Sequence, residues 1–187
     1  MSMFSGVKLI VSGKLENEKI VLKSLSPEVY ANKVVEWLSN PNTNTYLFSR
    51  YREITCREQI KYIQSMNDSN DSYYFGVFNK ETLEFIGTTT CRIKDQVYLE
   101  IGILIGSKRF QGKGYGSNCL SVIEEFAKSL KLNFLCAGME VDNHHSINLF
   151  KRAGFLIGET AEINDFGTLC FYAVKSLGND NMSSQLI

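Results

Sequence analysis

The sequence predicts an α/β (α+β) chain, and three observations in its second half carry that prediction. In the run from Val97 to Ile105, apolar residues recur at Val97, Leu99, Ile101, Ile103 and Ile105, a period of two that marks a strand. Further on, Cys119, Leu120, Val122, Ile123, Phe126, Ala127 and Leu130 recur at helical spacing. Between them lies Arg109-Phe110-Gln111-Gly112-Lys113-Gly114-Tyr115-Gly116, with glycines at alternate positions. The unit is strand, glycine loop, helix. A second strand-like run, Phe134 to Val141, follows it.

The remaining elements follow in order. Val7 to Leu25 reads as a strand pair turned near Gly13 to Asn17. Pro27 opens a helix through Tyr30, Val34, Val35, Trp37 and Leu38, which stops at Asn40-Pro41. Residues 42–55 form a polar, aromatic connector, and Arg57 to Met66 a short helix. Asn67 to Ser72 is a turn cluster. Tyr73 to Asn79 and Phe85 to Lys94 form a hairpin around Lys80 to Glu84, and Tyr98 to Ile105 continues the meander. A further helix starts near Asn143, and Thr168 to Lys175 is the final strand. Residues 1–178 are expected to be one domain and 179–187, a polar stretch, a flexible tail.

Composition narrows the function. The chain has 187 residues, enough to bury about 70% of its unfolded surface without disulfides or metals. Twenty acidic and twenty basic residues cancel, which argues against a nucleic-acid or membrane partner held by bulk charge. The first residues lack a basic, then apolar, leader, and no run approaches membrane-spanning length, so a cytoplasmic protein is expected. The five cysteines are scattered and only His144 and His145 are histidines, so no metal site is expected. Cys91, Cys119, Cys136 and Cys170 fall in apolar elements and read as reduced core residues. Cys136 is a conceivable nucleophile, but its apolar setting argues for an unreactive thiol.

The glycine loop is the most informative segment. Glycines keep Cβ atoms out of the turn, so consecutive backbone N–H groups can point into one concavity. The first turn of the following helix adds unpaired N–H groups and the positive end of its dipole. Such a place binds phosphate. A Walker loop needs four residues between its glycines, whereas Gly106 and Gly112 enclose five, and Lys113 is followed by Gly114 rather than a hydroxyl residue. A dinucleotide fingerprint needs Gly-x-Gly-x-x-Gly, whereas Gly112, Gly114 and Gly116 run Gly-x-Gly-x-Gly. The pattern Arg/Gln-x-x-Gly-x-Gly/Ala is met by Arg109, Gly112 and Gly114.

That last pattern resembles the acetyl-CoA pyrophosphate loop of the GNAT N-acetyltransferase superfamily. Asn143-His144-His145-Ser146, followed by Gly154-Phe155, resembles the family's Asn-x-x-Ser/Ala…Gly-Phe segment. Lys19 to Leu25, Val35-Glu36-Trp37-Leu38, Phe85 to Thr88 and Glu100-Ile101-Gly102 resemble its Rim-type branch, which includes ribosomal-protein N-terminal acetyltransferases. The resemblance covers residues 14–175. It implies a mixed, mostly antiparallel sheet flanked by helices, with a splayed strand pair holding acetyl-CoA as cosubstrate.

Residue by residue, the resemblance places the pyrophosphate on the amides of Gln111, Gly112, Lys113, Gly114, Tyr115 and Gly116. The Lys113 side chain faces either the phosphates or solvent. The backbone of Ile103, Leu104 and Ile105 would pair with the pantetheine arm. Asn143 and Ser146 would meet its amides, although both also suit a helix cap. Lys151 would reach a CoA phosphate or oppose the helix's negative end. Glu100 is the candidate base: it shares a strand face with Gly102 and Leu104, opposite the apolar set. An alkylamine is only on the order of one part in a thousand neutral at pH 7, so it must lose a proton before attack. Several relatives carry a proton-donating tyrosine where this chain has Phe150; here the thiolate leaves unassisted, water protonates it, or another tyrosine such as Tyr172 does.

The connector holds Tyr46, Phe48, Arg50, Tyr51 and Arg52. Aromatics with arginines suit a stacked base and a diphosphate, so Tyr46, Arg50 and Arg52 are candidate acceptor contacts. The expected function is acetyl transfer to a primary amine by direct attack in a ternary complex. The acceptor is a small amine or nucleotide-linked amino sugar. The alternatives are a protein N-terminal acetyltransferase and a non-catalytic acyl-CoA-binding module. A homodimer is left open.

Overall fold

The computed structural model describes residues 15–159, 161–164 and 167–178. In chain order it contains β1 (Leu15–Glu16), β2 (Ile20–Ser24), α1 (Pro27–Ser39), the one-turn α2 (Pro41–Asn44), a 3-10 turn (Phe48–Tyr51) and α3 (Cys56–Asp68). The hairpin and meander follow as β3 (Ser72–Asn79), β4 (Phe85–Lys94) and β5 (Tyr98–Ile105). After a 3-10 turn (Lys108–Phe110) come α4 (Tyr115–Ser129), β6 (Phe134–Glu140), α5 (His144–Arg152), β7 (Leu156–Ile157), β8 (Glu162–Ile163) and β9 (Leu169–Ser176). The first part of the expected strand pair, residues 7–14, and the expected tail, 179–187, lie outside the described residues.

The strands form one sheet in the order β1-β2-β3-β4-β5-β6-β9-β7, with β8 also on β9. Among the described strands every neighbouring pair is antiparallel except β5 and β6. The mixed, mostly antiparallel sheet expected from the sequence is therefore present.

Helices cover both faces, because each face carries its own apolar set. On one face, Leu99 and Ile101 of β5 and Leu135 and Ala137 of β6 are buried with Cys119, Ile123 and Phe126 of α4 and Phe150 of α5. Burying a side chain of the size of Phe126 stabilises by about 1.5–3 kcal/mol. On the other face, Val21, Tyr74 and Phe78 pack with Ala31 and Val34 of α1 and Ile63 and Met66 of α3. That second cluster ends before β5, so α1 and α3 leave part of this face uncovered.

Local chemistry explains two departures from the expected elements. The connector is not wholly irregular: the Asn40 side chain accepts from the Asn42 N–H and Pro41 opens a single helical turn. Helix α3 starts at Cys56 because Thr55 and Glu58 form a reciprocal capping box. The two-residue strands β7 and β8 were not legible in the sequence; they exist through pairing with β9.

Candidate functional site

The parallel pairing of β5 with β6 covers only Tyr98–Phe134, Leu99–Leu135 and Glu100–Cys136. Beyond Glu100 the strands part. Ile103, Leu104 and Ile105 pair with Thr89, Thr88 and Gly87 of β4 on one side and have no β6 partner on the other. Residues 137–140 pair only with β9. The result is a V whose inner edges carry backbone groups without a strand partner, and such groups favour an extended polar guest.

The glycine loop stands beyond the end of β5. Gly112 and Gly114 have φ of +70° and +82°, left-handed values that side chains resist. A Cβ on Gly112 would meet nothing within 4 Å, so the space beside this turn is open. Gly114 caps α4 without a side chain, and no acidic residue follows in the first turn. The other positions serve the scaffold. Arg109 pairs with Glu84 and lies 4.7 Å from the Phe110 ring centroid. Gln111 Nε2 donates to Ile105 O at 2.8 Å, tying loop to strand. Tyr115 is buried, its hydroxyl receiving Asn79 Nδ2 at 2.7 Å, so only its backbone faces a ligand. A Cβ on Gly116 would sit 3.2 Å from Leu149 Cδ2, so this glycine lets α5 approach α4.

Asn143 caps α5: its Oδ1 accepts from the Ser146 N–H at 3.1 Å. Lys151 is exposed in the last turn of that helix. Phe150 is buried and packs edge-on against Phe155 at 4.9 Å, so this position belongs to the core.

Glu100 lies at the apex of the V. Its side chain is 40% exposed, with Lys94 Nζ 3.9 Å away. Pairing register puts Glu100 and Gly102 on the same face as Thr90, Cys136, Gly138 and Tyr172. This is the face left uncovered by α1 and α3. Gly102 and Gly138 form its floor: both are exposed, and a Cβ on Gly102 would lie 2.8 Å from Thr90 Oγ1. Tyr172 is exposed beside Gly138. Burial, and secondarily the Glu100 charge, pushes the Cys136 thiol up to about 11, so it is protonated at neutral pH.

The connector crosses toward this face. Arg50 Nη1 donates to Glu140 Oε2 at 3.0 Å and makes an ionic rather than directed contact with Oε1 at 2.8 Å. Tyr51 hydroxyl and Thr168 Oγ1 are 2.7 Å apart. Tyr46 is exposed, and Arg52 is a largely exposed side chain 3.7 Å from Glu58. Glu140 and Thr90 were missed by the sequence reading. The signal for Glu140 was available: a carboxylate ending an apolar strand, in phase with Cys136.

Residues 19–156 match the acetyltransferase (GNAT) domain family. The chain belongs to the GNAT family. An uncharacterized N-acetyltransferase of Bacillus licheniformis is 27% identical over 146 residues, 75% of this chain and 81% of its own length. The spermidine N-acetyltransferase of Vibrio cholerae, solved with CoA and spermine, has a TM-score of 0.74 at 16% identity, covering 87% of this chain and 98% of that one. RimL, a ribosomal-protein α-N-acetyltransferase solved with coenzyme A, has a TM-score of 0.72 at 15% identity, covering 88% and 97%. The Rim-type expectation thus agrees with the fold.

This GNAT chain is an acetyl-CoA-dependent acetyltransferase, and its open loop and V fit that cosubstrate. The acetyl-CoA supplies the activated acyl group. Among the described residues no helix is long and apolar enough to cross a membrane.

Proposed function

We propose that this acetyltransferase acetylates a small primary amine bound on the uncovered sheet face between Glu100 and Glu140. The observation that carries the proposal is the parting of β5 and β6 directly after Glu100, which opens the V beside a carboxylate and a glycine floor. The amides of Gly112 to Gly116 hold the pyrophosphate, as charge-assisted hydrogen bonds to a helix N-terminus do, whereas the Gln111 N–H donates to Lys108 O at 3.3 Å and is not free for it. The backbone of Ile103, Leu104 and Ile105 aligns the pantetheine arm, the Asn143–Ser146 cap borders it, and Lys151 adds positive charge.

Glu100 takes the proton from the acceptor ammonium, directly or through a water. The amine nitrogen then attacks the thioester carbonyl, the C–S bond breaks, the sulfur receives a proton, and the second proton leaving the nitrogen restores the group that supplied it. Phe150 cannot supply the sulfur's proton, and Tyr172, on the same face as Glu100, is the donor within the site. No covalent enzyme intermediate is needed.

The connector supports one acceptor class over the other. Arg50 is neutralised by Glu140, which reduces the two-arginine diphosphate clamp to Arg52 and Tyr46. This favours a small amine over a nucleotide-linked amino sugar. Thiol release from acetyl-CoA is the test, read against polyamines, alkylamines, aminoglycosides, UDP- and dTDP-amino sugars and N-terminal peptides. Turnover with alkylamines or polyamines is the expected outcome. Turnover confined to nucleotide sugars or peptides would overturn the acceptor assignment.

A further inference from the structure

We propose that Lys19 is a positioning residue for acetyl-CoA: its ammonium sets the backbone of the glycine loop from behind. The inference rests on the reading of that loop as the pyrophosphate site. Lys19 lies in the turn between β1 and β2, far in sequence from the loop. Its Nζ donates to the carbonyl oxygen of Lys113 at 2.7 Å. It also lies 4.8 Å from the Tyr115 ring centroid and 3.7 Å from where a Cβ on Gly114 would be.

The turn that carries it is braced by hydrogen bonds. Asn17 Oδ1 accepts from the Lys19 and Ile20 N–H groups at 3.0 and 3.1 Å. Lys80 N–H donates to the Lys19 carbonyl at 3.0 Å, and Asn17 Nδ2 reaches Asn118 O in α4 at 3.2 Å. The ammonium is therefore delivered to the loop by a braced turn.

Planarity converts that contact into orientation. In a trans peptide the carbonyl of Lys113 and the N–H of Gly114 point in opposite directions. Holding the carbonyl on the Lys19 side turns the Gly114 N–H to the other side, at the residue that caps α4. Gly114 has left-handed φ and no side-chain cap; its own carbonyl is held by the Asn118 N–H and Nδ2 at 3.1 and 3.0 Å, while the Lys113 carbonyl is held by Lys19.

Electrostatics favours a ligand role over a purely structural one. A cation beside a helix N-terminus opposes the macrodipole, where stability alone would select Asp or Glu. Here Lys19 meets the start of α4 and Lys113 adjoins it, with no acidic residue in the first turn. A bound anion at this end would offset both cations.

The test compares Lys19→Met and Lys19→Arg with the parent protein. Lys19→Met is expected to weaken CoA binding about tenfold by calorimetry and to raise KM for acetyl-CoA similarly. The kcat should change less than twofold, and Lys19→Arg should recover most of the affinity. With S-acetylpantetheine, which lacks the pyrophosphate, kcat/KM should match the parent. Unchanged CoA affinity in Lys19→Met, with Gly114→Glu unable to bind, would overturn the Lys19 role alone. Equal losses on CoA and S-acetylpantetheine would show a general structural role and also overturn it. Normal CoA binding by Gly114→Glu would instead remove the pyrophosphate reading.

Discussion

Arg50 and Glu140 join the connector to the end of β6 through an ion pair with contacts of 2.8 and 3.0 Å. The pair sits over one end of the uncovered face, and Glu140 is only 9% exposed. Arg50 also donates to Thr45 O and the Tyr51 hydroxyl, so one guanidinium organises the turn. Removing one partner of such a pair leaves a charge with poor access to water. Because the Arg50 side chain keeps 24% exposure, we expect Arg50→Ala to cost about 2 kcal/mol, below the range for fully buried pairs. Melting temperature should fall on the order of 5 °C. The double variant Arg50→Met with Glu140→Met should regain much of the loss in denaturant titrations, and additive losses would refute the coupling.

Gly114→Glu forces a side chain into φ +82°, with its Cβ 3.7 Å from Lys19 Nζ, and so distorts the backbone that presents the proposed pyrophosphate amides. CoA binding should be lost in calorimetry while the circular dichroism spectrum is retained. Parent-like affinity would sink the pyrophosphate assignment.

Glu100→Gln keeps the shape of the apex and removes the proton acceptor. We expect kcat to fall about 10²–10⁴-fold with CoA affinity unchanged. The deficit should be largest at low pH, where the acceptor is almost wholly ammonium. Equal pH–rate profiles for variant and parent would remove Glu100 as the base.

The Cys136 thiol, pushed up to about 11 by burial and then by Glu100, should react slowly with iodoacetamide at pH 8. Cys136→Ala should retain turnover, because transfer is direct. Complete loss of activity in a folded Cys136→Ala protein would revive an acyl-thiol route.

Stability at high pH follows from the buried thiols and phenols. Burial raises Cys91 and Cys119 to about 12 from 9.0, and Tyr73 and Tyr74 to about 12 from 10.0. The unfolded chain releases these protons first, so their contribution is fully present below about pH 9. It is lost as pH rises toward 12. Denaturant midpoints should therefore be level through pH 8 and fall steadily above pH 9. A flat midpoint from pH 9 to 11 would contradict the burial of these groups.

Much of this protein is local in origin and was readable from the sequence. The alternation at Leu99, Ile101 and Ile103 marked β5, and the spacing of Leu120, Ile123 and Phe126 marked α4, because burying one face imposes a period. The special backbone at Gly112 and Gly114 was legible for the same reason: only glycine adopts it cheaply. Tertiary structure decided what pairing and approach decide. The β5–β6 ladder ends at Glu100 and Cys136, and strand register puts Glu100, Gly138 and Tyr172 on one face. Long-range contacts commit Arg50 to Glu140 and bring Lys19 to Lys113, across separations of 90 and 94 residues. No periodicity records such contacts, since a single side chain's reach depends on where two distant backbones come to rest.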